Sequence, residues 1–159
     1  MSSFTSKDPS ISYHTDSLDV TDMRFSNAYT YTMFNAFHHL NAGEQDQSVR
    51  GLRDKEASAY FVEILEPTLS CGVKVFLGTT LGVLLLMPFV KPFSLGRLFF
   101  TYLVPINMIT ITWDGMLSVA RSKSYTYYEK LFGSFGEAVS VKRFNSLAGP
   151  STMIQVKSK

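Results

Sequence analysis

The stretch TYTMFNAFHHLNAGEQ, residues 30–45, changes character in its middle. Its first part is rich in aromatic and β-branched residues, which predicts a β-strand. Asn41 then stands three residues before Glu44, the spacing of a capping box, which predicts that a helix begins there. Two adjacent histidines, His38 and His39, lie at the junction. A strand followed directly by a helix indicates an α/β fold.

Strand and helix patterns alternate on both sides of this stretch. The predicted elements are an extended segment at 11–20, a strand at 28–37, a helix at 41–57, a strand at 58–66 that ends in an acid, a helix at 126–135 with Thr126 and Glu129 in capping-box spacing, and two last strands separated by a turn at 147–150. The alternation is the pattern of an α/β protein.

Residues 67–113 are largely apolar and need a separate interpretation. Sixteen uncharged residues lie between Lys74 and Lys91, and another sixteen between Arg97 and Asp114. A helix that crosses the hydrocarbon core needs about 20 residues, so each run is short. The second run also contains Pro105, which removes a helical hydrogen bond near its middle.

Three interpretations of the apolar region remain open. A hairpin that crosses the bilayer twice would place Lys91 and Arg97 on the far side, against the positive-inside tendency. A monotopic helix pair lying in or dipping into one leaflet tolerates short helices, a proline kink and interfacial Tyr102 and Trp113, and we prefer it. A buried or oligomer-facing helix pair of a soluble protein is the third interpretation.

Composition excludes several classes of function. The 15 basic and 13 acidic residues are scattered, so the sequence does not predict a nucleic-acid partner. One cysteine, Cys71, allows no intramolecular disulfide, and no metal-binding spacing of cysteine or histidine is present, so we expect no metal site. The polar N-terminus does not resemble a secretory signal. We therefore expect the chain on the cytoplasmic side, associated with a membrane surface or lipid.

Two longer motifs carry a resemblance. The first is the series LDVTDM (18–23), TMFNAFHHL (32–40) and AYFVEILE (59–66), and the second is TYLVPINMITITWDGMLSVARSKSYTYYEKLF (101–132). Together they resemble the later part of class I S-adenosylmethionine-dependent methyltransferases, of a bacterial type with an apolar insertion ending in Trp-Asp-Gly. The resemblance covers most of residues 17–135. It implies S-adenosylmethionine as the cofactor and methyl transfer as the activity.

The resemblance also implies roles for individual residues. Asp19, with Asp22 as the less favoured choice, matches the acid near the adenine ring. A set of residues near the ends of two predicted strands matches family residues that line the cofactor side of the cleft. This set comprises Asn35, Phe37 and Glu66. His38 or His39 would take a proton from the methyl acceptor, since histidine titrates near neutral pH. On an extended segment adjacent side chains point opposite ways, so one histidine at most would face the cleft.

The sequence departs from the family where the cofactor's amino-acid end should lie. The family uses a glycine-rich turn after its first strand, and none of the ten glycines here forms such a turn. The family's sheet order is third, second, first, fourth, fifth, seventh, sixth, so the two central strands are missing from this sequence. We expect an incomplete cofactor site and weak or absent methyl transfer by this chain alone.

The missing strands leave three structural alternatives: the segment 11–20 pairs with the strand at 28–37 in a five-stranded sheet, which we prefer; a second chain supplies the missing half; or the chain folds poorly. The predicted fold is a partial Rossmann-like methyltransferase sheet with an inserted apolar helical hairpin. Its predicted parts are 1–66, 67–118 for the hairpin, and 119–159 for a helix and two strands. The alternative function is a small membrane-interaction protein without catalysis.

Overall fold

The computed structural model describes residues 25–147 and 149–157 of the chain. This part of the chain is a mixed α/β structure. Its strands and helices are β1 Thr30–Phe34, α1 Ala42–Asp54, β2 Ser58–Glu63, α2 Leu69–Leu86, α3 Leu95–Leu98, α4 Ile106–Arg121, α5 Tyr125–Phe132, β3 Val139–Ser146 and β4 Gly149–Val156. The predicted segment 11–20, its pairing in a fifth strand, and Asp19 and Asp22 lie outside the described residues.

The four described strands form one sheet in the order β1-β2-β4-β3. β1 and β2 are parallel, with Phe34 beside Val62, whereas β4 runs antiparallel to both β2 and β3. The carboxyl ends of β1 and β2 and the turn between β3 and β4 therefore lie at one edge, which we call the carboxyl edge. The predicted pair of strands around 147–150 is confirmed.

Helix α1 begins where the sequence predicted. The Asn41 side chain accepts a hydrogen bond from the Glu44 backbone N–H at 3.0 Å, and the Glu44 carboxylate accepts one from the Asn41 N–H at 2.7 Å. This reciprocal pair satisfies two amide groups that a helix N-terminus otherwise leaves unpaired, so the predicted capping box is confirmed.

Helix α5 begins at Tyr125, one residue before its predicted start, and its capping residue lies two residues before the predicted one. The capping residue is Ser124, whose hydroxyl accepts from the Tyr127 backbone N–H at 3.3 Å. The predicted box of Thr126 and Glu129 is wrong, because the Glu129 carboxylate instead accepts a hydrogen bond from the Tyr125 hydroxyl at 3.1 Å.

Both parallel strands end earlier than predicted. β1 stops at Phe34 because Asn35 adopts a left-handed conformation, with φ of 48°, which a strand cannot continue. A 3₁₀ turn, Phe37–His39, follows, so the two histidines are not on an extended segment. β2 ends at Glu63, and Glu66 lies three residues beyond it in the connection to α2.

The core lies between the sheet and helices α1 and α5. Phe37 is fully buried there and stacks on Phe61 with the ring centroids 4.2 Å apart. The buried apolar residues of this core are Phe37, Val49, Leu52, Ala57, Ala59, Phe61, Tyr128, Phe132, Phe135, Val139, Ile154 and Val156. We call the sheet and these two helices, residues 25–66 and 122–157, the α/β body.

Helices α2 and α4 pack against each other in antiparallel directions, with α3 in the connection between them. We call these residues, 69–121, the apolar hairpin. The segment from α3 to Leu103, which ends in a π-helical turn, meets α4 at an angle of 71°. Pro105 stands at this break, where the sequence predicted an interruption. Asn107 donates to the Thr101 hydroxyl at 3.1 Å, and Thr101 donates to the Arg97 carbonyl at 2.7 Å. These bonds satisfy polar groups that the break would expose.

Candidate functional site

His38 and Glu63 form a buried pair at the carboxyl edge. The His38 Nδ1 and Glu63 Oε2 atoms are 2.5 Å apart, and the exposed fractions of the two side chains are 0% and 1%. With Glu63 ionised, Nδ1 carries the hydrogen, because a carboxylate only accepts. The sequence brings these residues together because β1 and β2 are parallel neighbours with their carboxyl ends at the same edge.

The carboxylate of Glu63 also holds the turn in which His38 lies. Its Oε1 accepts a hydrogen bond from the Phe37 backbone N–H at 2.7 Å. The Phe37 carbonyl in turn accepts from the Gln45 side chain at 2.9 Å, and Gln45 accepts from the Tyr127 hydroxyl at 3.2 Å. Glu63, Gln45 and Tyr127 therefore fix both the position and the ring orientation of His38.

The second ring nitrogen of His38 is not used by the network that holds the ring. Nε2 is buried and has no hydrogen-bond partner within the described part of the chain. A histidine whose Nδ1–H is held by a carboxylate has the tautomer that leaves Nε2 free to accept a proton. To use it, a ligand must reach a side chain whose exposed fraction is 0%.

His39 lies differently from His38. Its side chain is exposed, and its ring centroid is 4.4 Å from that of His38. Of the two predicted catalytic histidines, His39 is therefore the one that meets solvent, and His38 is the one oriented by a carboxylate.

The predicted cofactor residues have three different surroundings. Asn35 is half-buried at the end of β1, and its Oδ1 has no partner in the part of the chain that is described. Glu66 is buried and accepts from Arg143 Nη2 at 2.9 Å, which leaves its Oε1 unpaired within the same residues. Phe37 is fully buried in the core, so a cofactor could contact its ring only if the core opened.

Tyr128 places a buried phenol hydroxyl in the core next to Phe37. Its side chain is buried, and its hydroxyl has no hydrogen-bond partner among the described residues. Burial raises the pKa of Tyr128 far above its usual value, and the charge of Glu63 raises it further. The hydroxyl therefore stays neutral and can only donate or accept a hydrogen bond.

Sequence reasoning missed Glu63, Gln45 and Tyr128. Glu63 had a signal, because it follows Ala59 and Phe61 at every second position of β2 and so falls on the buried face. A buried acid needs a partner, but its partner lies 25 residues away and could not be read from local spacing.

Among the described residues, no group of three metal-ligating side chains is present.

The contact between α2 and α4 contains polar groups. The Thr80 and Thr112 hydroxyls are 3.2 Å apart between α2 and α4, and Thr79 donates to the Val75 carbonyl at 2.8 Å. Gly115 lies at the same contact, where an added side-chain carbon would come within 3.0 Å of Val75. Small residues and internally bonded hydroxyls at the helix contact are typical of helices packed in membranes.

The outer surface of the hairpin is apolar. In the described part of the chain, 26 large apolar side chains are exposed, and 21 of them belong to the hairpin. They lie on the outward sides of both α2 and α4; Leu81 is 51% exposed, Ile109 59% and Trp113 70%. An open groove of about 290 Å³, lined by Phe76, Met108 and other apolar residues of both helices, lies on this surface.

One helical segment of the described chain, Leu69–Phe89, is long and apolar enough to cross a membrane by length and composition. The pair Leu95–Leu103 and Ile106–Arg121 adds a second only if both halves are counted as one bent span. Only 17% of the tested window in the first segment is buried inside the protein, unlike the mostly buried core helix of a soluble protein.

Comparison of the chain with protein-family models, with curated proteins and with solved structures gave no match in any of the three.

Proposed function

We propose that this chain is a membrane-associated protein that inserts its apolar hairpin into lipid and carries the later half of a class I methyltransferase sheet outside the membrane. The observation that carries the proposal is the set of 21 exposed apolar side chains on the hairpin. Exposed apolar surface of this extent is unfavourable in water and marks a surface that is covered in the cell.

The distribution of these side chains favours insertion over docking flat on the membrane. A helix that lies in the interface has one polar, charged face toward water. Helix α2 has Lys74 as its only charged residue, and α4 has Asp114, exposed near its middle, and Arg121 as its last residue. Helix α2 is about 27 Å long at 1.5 Å per residue, close to the hydrocarbon thickness of about 30 Å.

The charges at the two ends of the hairpin favour a cytoplasmic α/β body. Lys74, Arg121 and Lys123 lie near the end where the hairpin joins the body, which we call the root, and Lys91 and Arg97 lie at the tip. The two basic residues at the tip count against a hairpin that crosses the bilayer, but the root has three, so of the two orientations the positive-inside rule favours a cytoplasmic body.

The sheet supports the methyltransferase part of the proposal. Its order, β1-β2-β4-β3, equals the order fourth, fifth, seventh, sixth of the methyltransferase sheet when β1 is taken as the fourth strand. The glycine-rich turn is absent from the sequence, so we propose that S-adenosylmethionine binding and methyl transfer need a second chain or segment that supplies it.

Flotation with phospholipid vesicles tests the membrane proposal. The wild-type chain is expected to float with the vesicles and to stay with them after a carbonate wash. Leu81→Lys combined with Ile109→Lys should remove most of this association, because a charge on each outer face must enter the hydrocarbon. Tyr29→Lys is the matched control, since Tyr29 is 67% exposed but lies outside the hairpin. A wild-type chain that remains soluble without detergent would contradict insertion.

Calorimetry with S-adenosylmethionine tests the second part. The 159-residue chain alone is expected to show no binding in the micromolar range. Micromolar binding would show that the cofactor site is complete and would contradict the need for a second chain.

A further inference from the structure

The turn between β3 and β4 extends past the rest of the sheet at the carboxyl edge. β2 pairs with β4 only as far as Glu63 opposite Thr152, whereas β3 pairs with β4 as far as Ser146 opposite Gly149. Three further residue pairs therefore project from the edge, about 10 Å at the rise of a strand. We call residues 144–147 and 149–151 the overhang.

The overhang presents apolar side chains to its surroundings and has basic residues beside it. Leu147 is completely exposed at its tip, and Phe144 is 39% exposed. Lys142 and Arg143 are exposed on the strand that leads to it; Arg143 is already paired with Glu66, so Lys142 is the cation that can turn to a headgroup. Between residues 139 and 157 the sequence contains no acid. An exposed apolar tip next to basic side chains fits an anionic lipid surface, where the apolar groups enter the interface and the cations meet headgroups.

The overhang lies directly beside the root of the apolar hairpin. An added side-chain carbon on Gly149 would be 3.8 Å from the Lys74 Nζ atom of α2. The Ser151 hydroxyl is 3.5 Å from the carbonyl oxygen of Ile64, which lies in the connection between β2 and α2. The β4 side of the overhang therefore lies next to the start of α2, at the root of the hairpin.

We propose that the overhang is a second membrane contact, which sets the carboxyl edge of the sheet against a bilayer containing anionic lipid. This inference rests on the proposed function, because the hairpin must first bring the body to the membrane. The opposite edge has a different character: residues 54–56, Asp54, Lys55 and Glu56, are exposed and of mixed charge, which suits water.

This orientation determines which ligands can reach the carboxyl edge. His39, Asn35 and Glu66 follow the carboxyl ends of β1 and β2, so they would face the headgroup layer. A molecule that reaches this edge would then come from the headgroup layer and would meet the exposed His39 first, because Glu66 is buried and already paired with Arg143.

A fluorophore sensitive to its environment, attached to single cysteines, tests the contact. In a Cys71→Ala background, the label would be placed at Leu147→Cys on the overhang, at Lys55→Cys on the opposite edge, and at Leu81→Cys on the hairpin. Vesicles of phosphatidylcholine with phosphatidylserine are expected to shift the emission at 147 and 81 to shorter wavelength and to leave position 55 unchanged.

The three labels separate failure of this inference from failure of the membrane proposal. A shift at 81 with none at 147, or with an equal shift at 55, would overturn the second contact while hairpin insertion stands. No shift at any position would overturn both. A shift at 147 that is as large with pure phosphatidylcholine would contradict the role of anionic lipid. Lys142→Gln should lower the equilibrium constant of the overhang contact about fivefold, seen as a smaller shift at 147, since each basic residue near an anionic surface contributes about 1 kcal/mol.

Discussion

The α/β body and the apolar hairpin arrange polar and apolar groups in opposite ways. In the body, Phe37 and Phe61 are buried in the core, and charged residues such as Lys55 are outside. In the hairpin, the Thr80 and Thr112 hydroxyls face each other, and Leu81 and Trp113 are outside. The body therefore has the arrangement expected of a protein in water, and the hairpin has the arrangement on which the proposal of membrane insertion rests.

The two regions also differ in the polar groups that they bury. The body buries a hydrogen-bonded pair, His38 and Glu63, and supplies a partner to both carboxylate oxygens. The hairpin interior contains threonine hydroxyls, which bond to each other or to helix carbonyls. It also contains Gly115, which lets α2 and α4 approach closely. Substitutions that remove the buried pair of the body or the close helix contact of the hairpin, each beside a matched control, test this difference.

The largest expected effect on stability comes from Glu63 in the body. Glu63→Ala leaves the His38 ring and the Phe37 N–H buried without their partner, so the free energy of unfolding should fall by about 3–5 kcal/mol. Denaturant unfolding in mild detergent measures it. Glu137→Ala, at an exposed acid, is the control and should change stability by less than about 0.5 kcal/mol. Equal losses in the two variants would show that the buried pair does not stabilise the body.

A larger side chain at the helix contact should separate the hairpin. In Gly115→Leu the first added carbon already meets Val75 at 3.0 Å and Thr79 at 3.2 Å, and such overpacking costs about 1–3 kcal/mol. Gly82→Leu is the matched control, because nothing lies within 4 Å of a carbon added there. Disulfide formation between Thr80→Cys and Thr112→Cys, in a Cys71→Ala background, reports the contact.

We expect Gly115→Leu to slow this cross-link and Gly82→Leu to leave it unchanged. If both variants cross-link at the rate of the parent, close packing of α2 on α4 is not what holds the hairpin together.

Tyr128 should make the stability of the body fall at high pH. Its pKa is raised in the folded chain, so below about pH 10 the phenol is neutral in both states and adds no pH dependence. Above about pH 10 the unfolded chain loses the proton and the folded chain keeps it, which favours unfolding by up to about 1.4 kcal/mol per pH unit.

Tyr128→Phe should remove most of this fall, and Tyr29→Phe, at an exposed tyrosine, should retain it. Unfolding curves recorded from about pH 8 to about pH 11.5, a range that brackets the titration of an exposed tyrosine, provide the measurement. At neutral pH Tyr128→Phe should be nearly neutral, because the hydroxyl has no partner to lose among the described residues.

The smallest effect concerns the first turn of α1. Asn41→Ala removes the acceptor for the Glu44 N–H and should cost about 1 kcal/mol of the free energy of unfolding. Asn41→Asp keeps an acceptor oxygen and should be within a few tenths of a kcal/mol of the parent. Comparable losses in both variants would mean that the cap does not stabilise the helix.

Local features were predictable where a few neighbouring residues decide the outcome. The capping box at Asn41 and Glu44 and the last pair of strands were predicted and are confirmed. The cap of α5 was assigned to Thr126 rather than Ser124, because both residues precede a helical pattern and only the folded chain shows which hydroxyl reaches an amide.

Features that depend on distant contacts were not predictable in the same way. The end of β1 depends on the left-handed conformation of Asn35, whose backbone N–H donates to the Val62 carbonyl at 2.7 Å. The burial of His38 depends on Glu63, which the parallel pairing of β1 and β2 brings to it. The sequence indicated an apolar region, but the inward placement of its threonines and glycine follows only from how α2 packs on α4.

The fluorescence of Trp113, the single tryptophan of the chain, tests the placement of the hairpin in lipid most directly. Its side chain is 70% exposed on the outer surface of α4. In vesicles whose acyl chains carry bromine, we predict emission at short wavelength and strong quenching. Emission at the wavelength of a water-exposed indole, without quenching by bromine, would contradict insertion of the hairpin.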